Sequence, residues 1–221
     1  MRMPLIGPWA TDPLWATAYD WLVEHETVGG LIWRLGTDSS LADLYAATAE
    51  IGRLPAGSRV LDVPCGGGVA LRGLKRGQGI EYVAADISPA MLDRTVAAAV
   101  ERGVLDQVRP KVEDMQALSF DDDSFDLVVS LTGLHVVPDP VGAVHELARV
   151  LRPGGRLTGS ALLTDTGLRF EGLRLAGRVA GVLGPSLSTP ELLDALGDAG
   201  LTRIRAETSG AFVYFSAAKT R

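Results

Sequence analysis

The sequence predicts an α/β fold in which a mostly parallel β-sheet carries helices on both faces. Short apolar runs typical of buried strands alternate with helical patterns from Arg59 to about Leu163. Gly- and Pro-containing segments separate these runs and indicate turns. Residues 201–208 and 212–217 then form two strand-like runs around a Ser-Gly turn, which predicts a closing antiparallel pair.

The first predicted strand ends in a glycine cluster. Residues 60–63 (VLDV) form a short apolar run containing Asp62, residues 64–68 (PCGGG) follow, and a helical pattern begins at Val69. This order predicts a strand, a tight turn and the N-terminus of a helix. A ligand can approach bare backbone at such a turn, and a helix start offers unpaired N–H groups and partial positive charge. We therefore expect a nucleotide-like cofactor here.

Two cofactor classes compete for this turn. A dinucleotide site requires G-x-G-x-x-G, and Gly66 and Gly68 fit its first two positions, but the third is Leu71. The carboxylate of Asp62 would repel a pyrophosphate, whereas it suits a ligand that carries an amine and a sulfonium. A plain strand–helix turn without a ligand is the third interpretation.

The second predicted strand, residues 80–85, also ends in a carboxylate. Asp86 lies roughly 20 residues beyond the glycine turn, where an acidic side chain can bind the two hydroxyls of a ribose. The Ser-Pro pair at 88–89 predicts the N-cap and first residue of a helix, and Ile87 or Met91 could pack on an adenine. The alternative for Asp86 is a solvated carboxylate or a helix cap.

Further along the chain, residues 125–130 form a buried-strand pattern that continues towards His135. Residues 146–157 predict a helix, a Pro-Gly-Gly turn and a fifth strand. Another helix is predicted to begin with Thr189 as N-cap and to end near Ala199.

These motifs together resemble the class I S-adenosylmethionine (SAM) methyltransferases. Residues 62–68 match D-x-G-x-G-x-G, with Pro64 where the family usually has its first glycine. Residues 86–92 resemble D-x-S-x-x-M-L, residues 125–130 resemble F-D-x-V-x-S, and residues 149–157 read R-V-L-R-P-G-G-R-L. The chain is similar in particular to the small-molecule group that includes the ubiquinone and menaquinone biosynthesis methyltransferases.

The resemblance implies an architecture and a division of the chain. The fold would be a Rossmann-like three-layer sandwich with a seven-stranded, mostly parallel sheet, its last strand antiparallel, and an N-terminal helical lid. A single domain would comprise the lid (1–55), a SAM-binding core (56–163), and substrate-side helices with closing strands (164–221).

The resemblance also implies a set of cofactor-binding residues. Asp114 would accept a hydrogen bond from the adenine amine, Met115 would supply a backbone N–H, and Tyr19 would contact the SAM carboxylate or sulfonium. The turn position of Cys65 suggests a small residue whose backbone N–H faces the ligand. The full set is Tyr19, Asp62, Pro64, Cys65, Gly66, Asp86, Ile87, Met91, Asp114, Met115 and Leu131.

The implied reaction is in-line displacement of a methyl group from the sulfonium to an O, N or C atom of a small molecule, with S-adenosylhomocysteine as product. If the acceptor is a phenol or an activated aromatic carbon, a base would assist. His135 is the candidate catalytic residue because it follows the fourth strand, and a packing role is its alternative. His25 is a weaker candidate.

Composition narrows the partners. The 221 residues suit one domain, and a net charge of −6 without a basic stripe disfavours nucleic acid. Cys65 is the only cysteine, which excludes an internal disulfide, and the three histidines lack metal-ligand spacing, so no metal is expected. The sequence has no membrane-spanning apolar run and no signal pattern, so we expect a cytoplasmic protein. We expect it to be a monomer or a homodimer.

Several alternatives stay open. The four tryptophans, Trp9, Trp15, Trp21 and Trp33, suggest an apolar or aromatic acceptor, or simply a helix packed on the sheet. Arginines at 169, 174 and 178 are expected to form an exposed basic face, and binding of an anionic substrate is their alternative role. An NAD(P)-dependent oxidoreductase would need a third glycine near position 71 and a catalytic Tyr/Lys pair. A non-catalytic SAM-binding module would keep the carboxylates of Asp62 and Asp86 but lack an acceptor pocket.

Overall fold

A seven-stranded sheet forms the centre of the molecule in the computed structural model, which describes residues 28–220. The strand order is β3-β2-β1-β4-β5-β7-β6. The strands are β1 (Arg59–Asp62), β2 (Glu81–Asp86), β3 (Val108–Val112), β4 (Phe125–Leu131), β5 (Leu151–Leu162), β6 (Leu201–Ser209) and β7 (Phe212–Lys219).

The pairing of the strands confirms the predicted topology. β1 to β5 pair in parallel, and β7 is antiparallel to both β5 and β6, between which it lies. The chain builds outward from β1 to β3 and then returns to the other side of β1 with β4. Ligands of open α/β sheets bind at such a switch point, beyond the carboxyl ends of the strands.

Six helices cover the sheet within the described residues. Their bounds are α1 (Val28–Thr37), α2 (Leu41–Thr48), α3 (Pro89–Arg102), α4 (Pro140–Val150), α5 (Glu171–Val179) and α6 (Thr189–Asp198). The N-cap of α6 is Ser188, one residue before the predicted Thr189, because Ser188 forms a capping box with Glu191. Ser188 and Glu191 thereby satisfy two N–H groups that the start of the helix leaves unpaired.

Alternation along the strands separates two apolar layers. Leu61 and Val128 pack with α4 and α6 on one face, while Val60 and Leu127 pack with α2 and α3 on the other. Successive strand residues point to opposite faces, so the continuous apolar runs of β1 and β4 can supply both layers. The result is the predicted three-layer sandwich.

The structure corrects two local predictions. The glycine cluster leads into a short 3₁₀ helix, Val69–Gly73, rather than a longer α-helix. The Thr48 carbonyl of α2 lies so close to Gly73 that a Cβ there would be 2.0 Å from its oxygen, so α2 occupies the space beside this segment. The Pro-Gly-Gly sequence lies inside β5, which begins directly after α4, and the register with β4 shifts near Phe125.

The part of the predicted lid that is described packs as a core element. Leu44 and Ile51 are fully buried, and the Trp33 ring stacks on Phe212 with centroids 4.9 Å apart. Trp9, Trp15, Tyr19, Trp21 and His25 lie outside the described residues. The lid and the three segment boundaries therefore stay predictions.

Candidate cofactor site at the carboxyl ends of the strands

The carboxylate at the end of β2 is tied to the glycine turn. Asp86 Oδ2 accepts a hydrogen bond from the Gly66 N–H at 3.0 Å, and Oδ1 accepts from the Ser88 N–H at 2.9 Å. Asp86 is buried, with 6% exposure. The side chain of Ser88, at the predicted N-cap, makes no capping bond to the α3 backbone, so this carboxylate organises both the glycine turn and the residue preceding α3.

The carboxylate at the end of β1 has a tyrosine partner. The Tyr82 hydroxyl donates to Asp62 Oδ2 at 2.6 Å, and both side chains are buried. The pKa of Asp62 is raised to about 7, chiefly by burial; the Tyr82 hydrogen bond lowers it, and the nearby charge of Asp86 adds to the rise. Asp62 is thus a buried carboxyl poised to titrate near neutrality.

Bare backbone is available on one side of the turn. Gly66 (φ 51°) and Gly68 (φ 89°) both have left-handed backbone conformations. A Cβ at Gly66 would meet nothing within 4 Å, whereas one at Gly68 would lie 3.3 Å from Thr95 Cα. The Thr95 hydroxyl donates to the Gly66 carbonyl at 2.7 Å. The turn is therefore closed towards α3 at Gly68 and open at Gly66, where a ligand could approach.

The turn residues Cys65 and Pro64 have structural contacts. The sequence predicted that the Cys65 N–H faces the ligand. It instead donates to the Ala85 carbonyl at 2.8 Å. Burial and the charges of the two carboxylates raise the pKa of its thiol well above the usual range, which keeps it neutral. Pro64 follows a cis peptide bond and lies against Gly133, where a Cβ would be 2.3 Å from its Cδ.

The predicted adenine-binding residues lie at two neighbouring strand ends. Ile87 follows β2 and is 38% exposed, whereas Met91 is buried in α3. Asp114 follows β3, and its Oδ1 accepts from the Gln116 N–H at 2.9 Å and from Gln116 Nε2 at 3.1 Å. Met115 is buried in the core. Of the two apolar side chains predicted to pack on the adenine, Ile87 is the exposed one.

The loop after β4 brings His135 to the end of β5. Its Nδ1 accepts the Leu162 N–H at 3.0 Å, which places the ring proton of neutral His135 on Nε2. Burial lowers the pKa of His135 to about 4. The ring meets Phe212 edge-on, with centroids 6.0 Å apart, and Leu131 is buried at the end of β4. His135 therefore lies at the end of β5 in a neutral, oriented form.

Two structural partners were not among the sequence-based site residues. Thr95 looks like an ordinary helical residue, and Tyr82 looks like part of an apolar strand. A tyrosine in a strand buried on both faces needs a hydrogen-bond partner for its hydroxyl. This requirement could have pointed to Tyr82 from the sequence alone, whereas no feature of the sequence pointed to Thr95.

The prediction of an exposed arginine face is wrong for Arg174. Its side chain is 1% exposed, donates to the Leu163 and Gly167 carbonyls at 3.0 and 2.8 Å, and pairs with Glu171 at 2.8 Å. Arg169 and Arg178 are exposed, as predicted. Arg174 thus fixes the loop that follows β5, because its planar guanidinium can bind several oxygens at once.

Within residues 28–220, no group of three or more His, Cys, Asp or Glu side chains has the arrangement of a metal site. In the same part of the chain, no helix is both long and apolar enough to cross a membrane.

The fold and the paired strand-end carboxylates define a Rossmann-like methyltransferase domain. Residues 61–158 match the family model described as "Methyltransferase domain". The chain belongs to the class I SAM-dependent methyltransferases. The expected similarity to the ubiquinone-biosynthesis group is confirmed by relatives of that name.

Two relatives of established name show the extent of this similarity. The 27-O-demethylrifamycin SV methyltransferase of Amycolatopsis mediterranei is 34% identical over 180 residues, 77% of this chain and 66% of that protein. A ubiquinone biosynthesis O-methyltransferase of Alkalilimnicola ehrlichii is 41% identical over 106 residues, 48% of this chain and 42% of that protein. The chain spans about half the length of most of these curated relatives.

One solved structure shows the same fold in a liganded enzyme. The phosphoethanolamine N-methyltransferase 2 of Haemonchus contortus, in complex with phosphomonomethylethanolamine and S-adenosylhomocysteine, aligns with a TM-score of 0.73. It is 16% identical, and the alignment covers 95% of this chain and 58% of that one. At this identity the comparison supports the fold alone.

Proposed function

We propose that this protein transfers the methyl group of SAM to an O, N or C atom of a small-molecule acceptor and releases S-adenosylhomocysteine. The observation that carries the proposal is the pair of buried carboxylates, Asp62 and Asp86, on adjacent parallel strands beside a turn that is open at Gly66. A cationic amino acid joined to a nucleoside offers positive charge to one carboxylate and ribose hydroxyls to the other.

The residues around the turn suit that ligand. Asp86 is proposed to bind the ribose, Ile87 and Met91 to border the adenine, and Asp114 with the Met115 N–H to bind its edge. Asp62 is proposed to face the positive charge. Tyr19, Pro64, Cys65, Gly66 and Leu131 complete the proposed set, with Cys65 acting through its place in the turn.

The proposed acceptor is apolar or aromatic. The Trp33–Phe212 stack lies beside His135 on the side of β5. A surface hollow of about 610 Å³ is lined by Leu31, Leu35 and Phe170 together with the charged residues Arg34, Asp38 and Arg169. The apolar and aromatic part of this lining favours a ligand of the same kind.

The protein's part in the reaction is positioning and exclusion of water. SAM supplies an already activated methyl group when bound, so the enzyme mainly has to align the acceptor atom for in-line attack. Acting as a base at Nε2 would require His135 to move its proton to Nδ1 and to break its bond with the Leu162 N–H. The geometry therefore favours a positioning role for His135 at the acceptor side.

We further propose that the protein is cytoplasmic, acts without a metal, and works as a monomer or homodimer on a free small molecule rather than on nucleic acid. The acidic composition, with a net charge of −6, supports the last of these points.

The cofactor is tested by isothermal titration calorimetry with SAM, S-adenosylhomocysteine, NADH and NADPH. Micromolar binding of the first two alone is the expected result. Binding of only the nicotinamide cofactors would establish the oxidoreductase alternative instead. Transfer of labelled methyl groups to a panel of quinols, phenols and lipids then distinguishes an enzyme from a non-catalytic SAM-binding module.

Asp86→Ala tests the site itself. Loss of its hydrogen bonds should weaken SAM binding by about 1–3 kcal/mol, the scale for hydrogen bonds to charged groups. Asp93→Ala is the matched control, because Asp93 is an exposed aspartate on α3. Equal SAM affinity in the two variants, both folded by circular dichroism, would remove Asp86 from the site.

A further inference from the structure

We propose that Tyr82 is a positioning residue that holds the Asp62 carboxylate for the positive charge of the cofactor, and that cofactor binding thereby releases a proton. This inference rests on the proposed function, because it requires a cationic ligand at the glycine turn. Tyr82 is not part of the sequence motifs, and the motifs do not imply a release of protons.

The register of the parallel strands explains how the pair forms. Val60 of β1 lies beside Tyr82 of β2, and Asp62 lies beside Ala84. Tyr82 and Asp62 therefore point to the same face of the sheet and are diagonal neighbours. A phenol ring is long enough to span that diagonal, and its hydroxyl lies 2.6 Å from Asp62 Oδ2.

The hydrogen bond has a fixed direction. Burial and the charge of Asp62 raise the pKa of Tyr82 well above its usual range, so its hydroxyl stays protonated. Tyr82 consequently always donates, and Oδ2 of Asp62 always accepts. This arrangement fixes the rotation of the carboxylate and leaves Oδ1 without a hydrogen bond from any described residue.

The carboxylate of Asp62 has no cationic partner in the part of the chain that the structure describes. No Lys, Arg or His side chain among residues 28–220 forms an ion pair with Asp62. The groups around it are Tyr82 from β2, Asp86 from the end of β2, and Cys65 from the turn, of which Asp86 adds negative charge and the Cys65 thiol is neutral. A buried carboxylate normally needs a cation, so the counter-charge for Asp62 is expected to come from a ligand.

A proton balance follows from this arrangement. Burial raises the pKa of Asp62 to about 7, so the free protein holds a proton on this group for about half of the time at pH 7. A cation bound beside Asp62 favours the ionised carboxylate, and the proton passes to the buffer. Binding should therefore release about 0.5 proton at pH 7 and a larger fraction at pH 6.

Calorimetry measures this release directly. SAM is titrated into the wild-type protein from pH 6 to 8.5 in two buffers with different ionisation enthalpies, whose difference in heat gives the number of protons released. Tyr82→Phe removes the hydrogen bond that lowers the pKa of Asp62, so its release curve should move to higher pH. Its SAM affinity at pH 7 should fall by about 3- to 10-fold, the effect of losing one typical hydrogen bond.

Two variants control the measurement. Tyr214→Phe removes a partly buried hydroxyl of β7 that lies 3.5 Å from Ser39 Oγ, and its release curve should match that of the wild type. Asp62→Asn keeps the shape of the side chain but cannot titrate, so its proton release from this site should disappear.

The outcomes separate this inference from the proposed function. Binding of SAM without proton release, or an unchanged release curve in folded Tyr82→Phe, would overturn the inference and leave the methyltransferase proposal intact. Failure of the wild-type protein to bind either SAM or S-adenosylhomocysteine would overturn both.

Discussion

The backbone N–H of Leu162 donates to Nδ1 of His135 across 3.0 Å and joins the loop after β4 to the end of β5. These two segments are far apart in the chain and adjacent in the sheet. The bond orients the imidazole and uses the nitrogen that neutral His135 has free to accept a proton. A histidine that would be proposed as a base from its sequence position is thus already engaged in joining these two segments.

The first prediction separates orientation from proton transfer at His135. Asparagine can accept the Leu162 N–H through its Oδ1 but cannot take a proton, whereas alanine does neither. We expect His135→Asn to keep turnover within about tenfold of the wild type and His135→Ala to lose substantially more, with SAM affinity preserved in both. Steady-state kinetics with any identified acceptor would measure this. Equal, near-complete inactivation of both variants would restore the general-base assignment.

The second prediction concerns acid stability. The pKa of His135 is about 4 when folded and near 6.5 when unfolded, so the unfolded chain binds more protons between these values. The contribution of this neutral histidine is therefore present above about pH 6.5 and is lost as the pH falls towards 4. His135→Asn should reduce the loss of unfolding free energy from pH 7 to pH 5 by roughly 1–2 kcal/mol. Urea unfolding of both proteins at the two pH values measures it, and parallel losses would contradict the assignment.

The third prediction tests the tight side of the glycine turn. Gly68 has φ 89° and faces Thr95, whereas Gly57 has φ 83° and a Cβ there would meet open space. Alanine at either position has the same backbone strain, but only Gly68→Ala adds a steric conflict with α3. Gly68→Ala should lower the free energy of unfolding by about 1–2 kcal/mol more than Gly57→Ala. Thermal or urea denaturation of the two variants checks the difference, and equal losses would show that α3 yields without cost.

The fourth prediction concerns the buried arginine of α5. Arg174→Met removes the guanidinium hydrogen bonds to the Leu163 and Gly167 carbonyls and the ion pair with Glu171, and should cost about 2–4 kcal/mol. Arg178→Met removes an exposed arginine of the same helix and should change stability by less than about 0.5 kcal/mol. Urea unfolding of both variants tests this contrast. A similarly small effect of Arg174→Met would mean that water or another group replaces its hydrogen bonds.

Much of the sheet was predictable because its signals are local. The apolar runs at β1, β2 and β4 and the closing pair β6–β7 lie within a residue or two of the predicted positions. The segment after Gly68 was mispredicted because its length depends on α2, which packs against it from earlier in the chain. The Pro-Gly-Gly sequence looked like a turn, and in the structure it forms an irregularity within β5, where the pairing with β4 passes from Leu151 directly to Arg156.

The sequence by itself determined the strands β1, β2 and β4 and the closing pair β6–β7, the glycine turn, and the presence of a carboxylate at the end of β1 and of β2, since each is set by neighbouring residues and their periodicity. Only the tertiary structure decided that Tyr82 bonds to Asp62, that Leu162 engages His135, and that Arg174 is buried. These contacts join residues that the fold brings together, and burial then changes their charge and hydrogen-bonding state, which no local pattern can report.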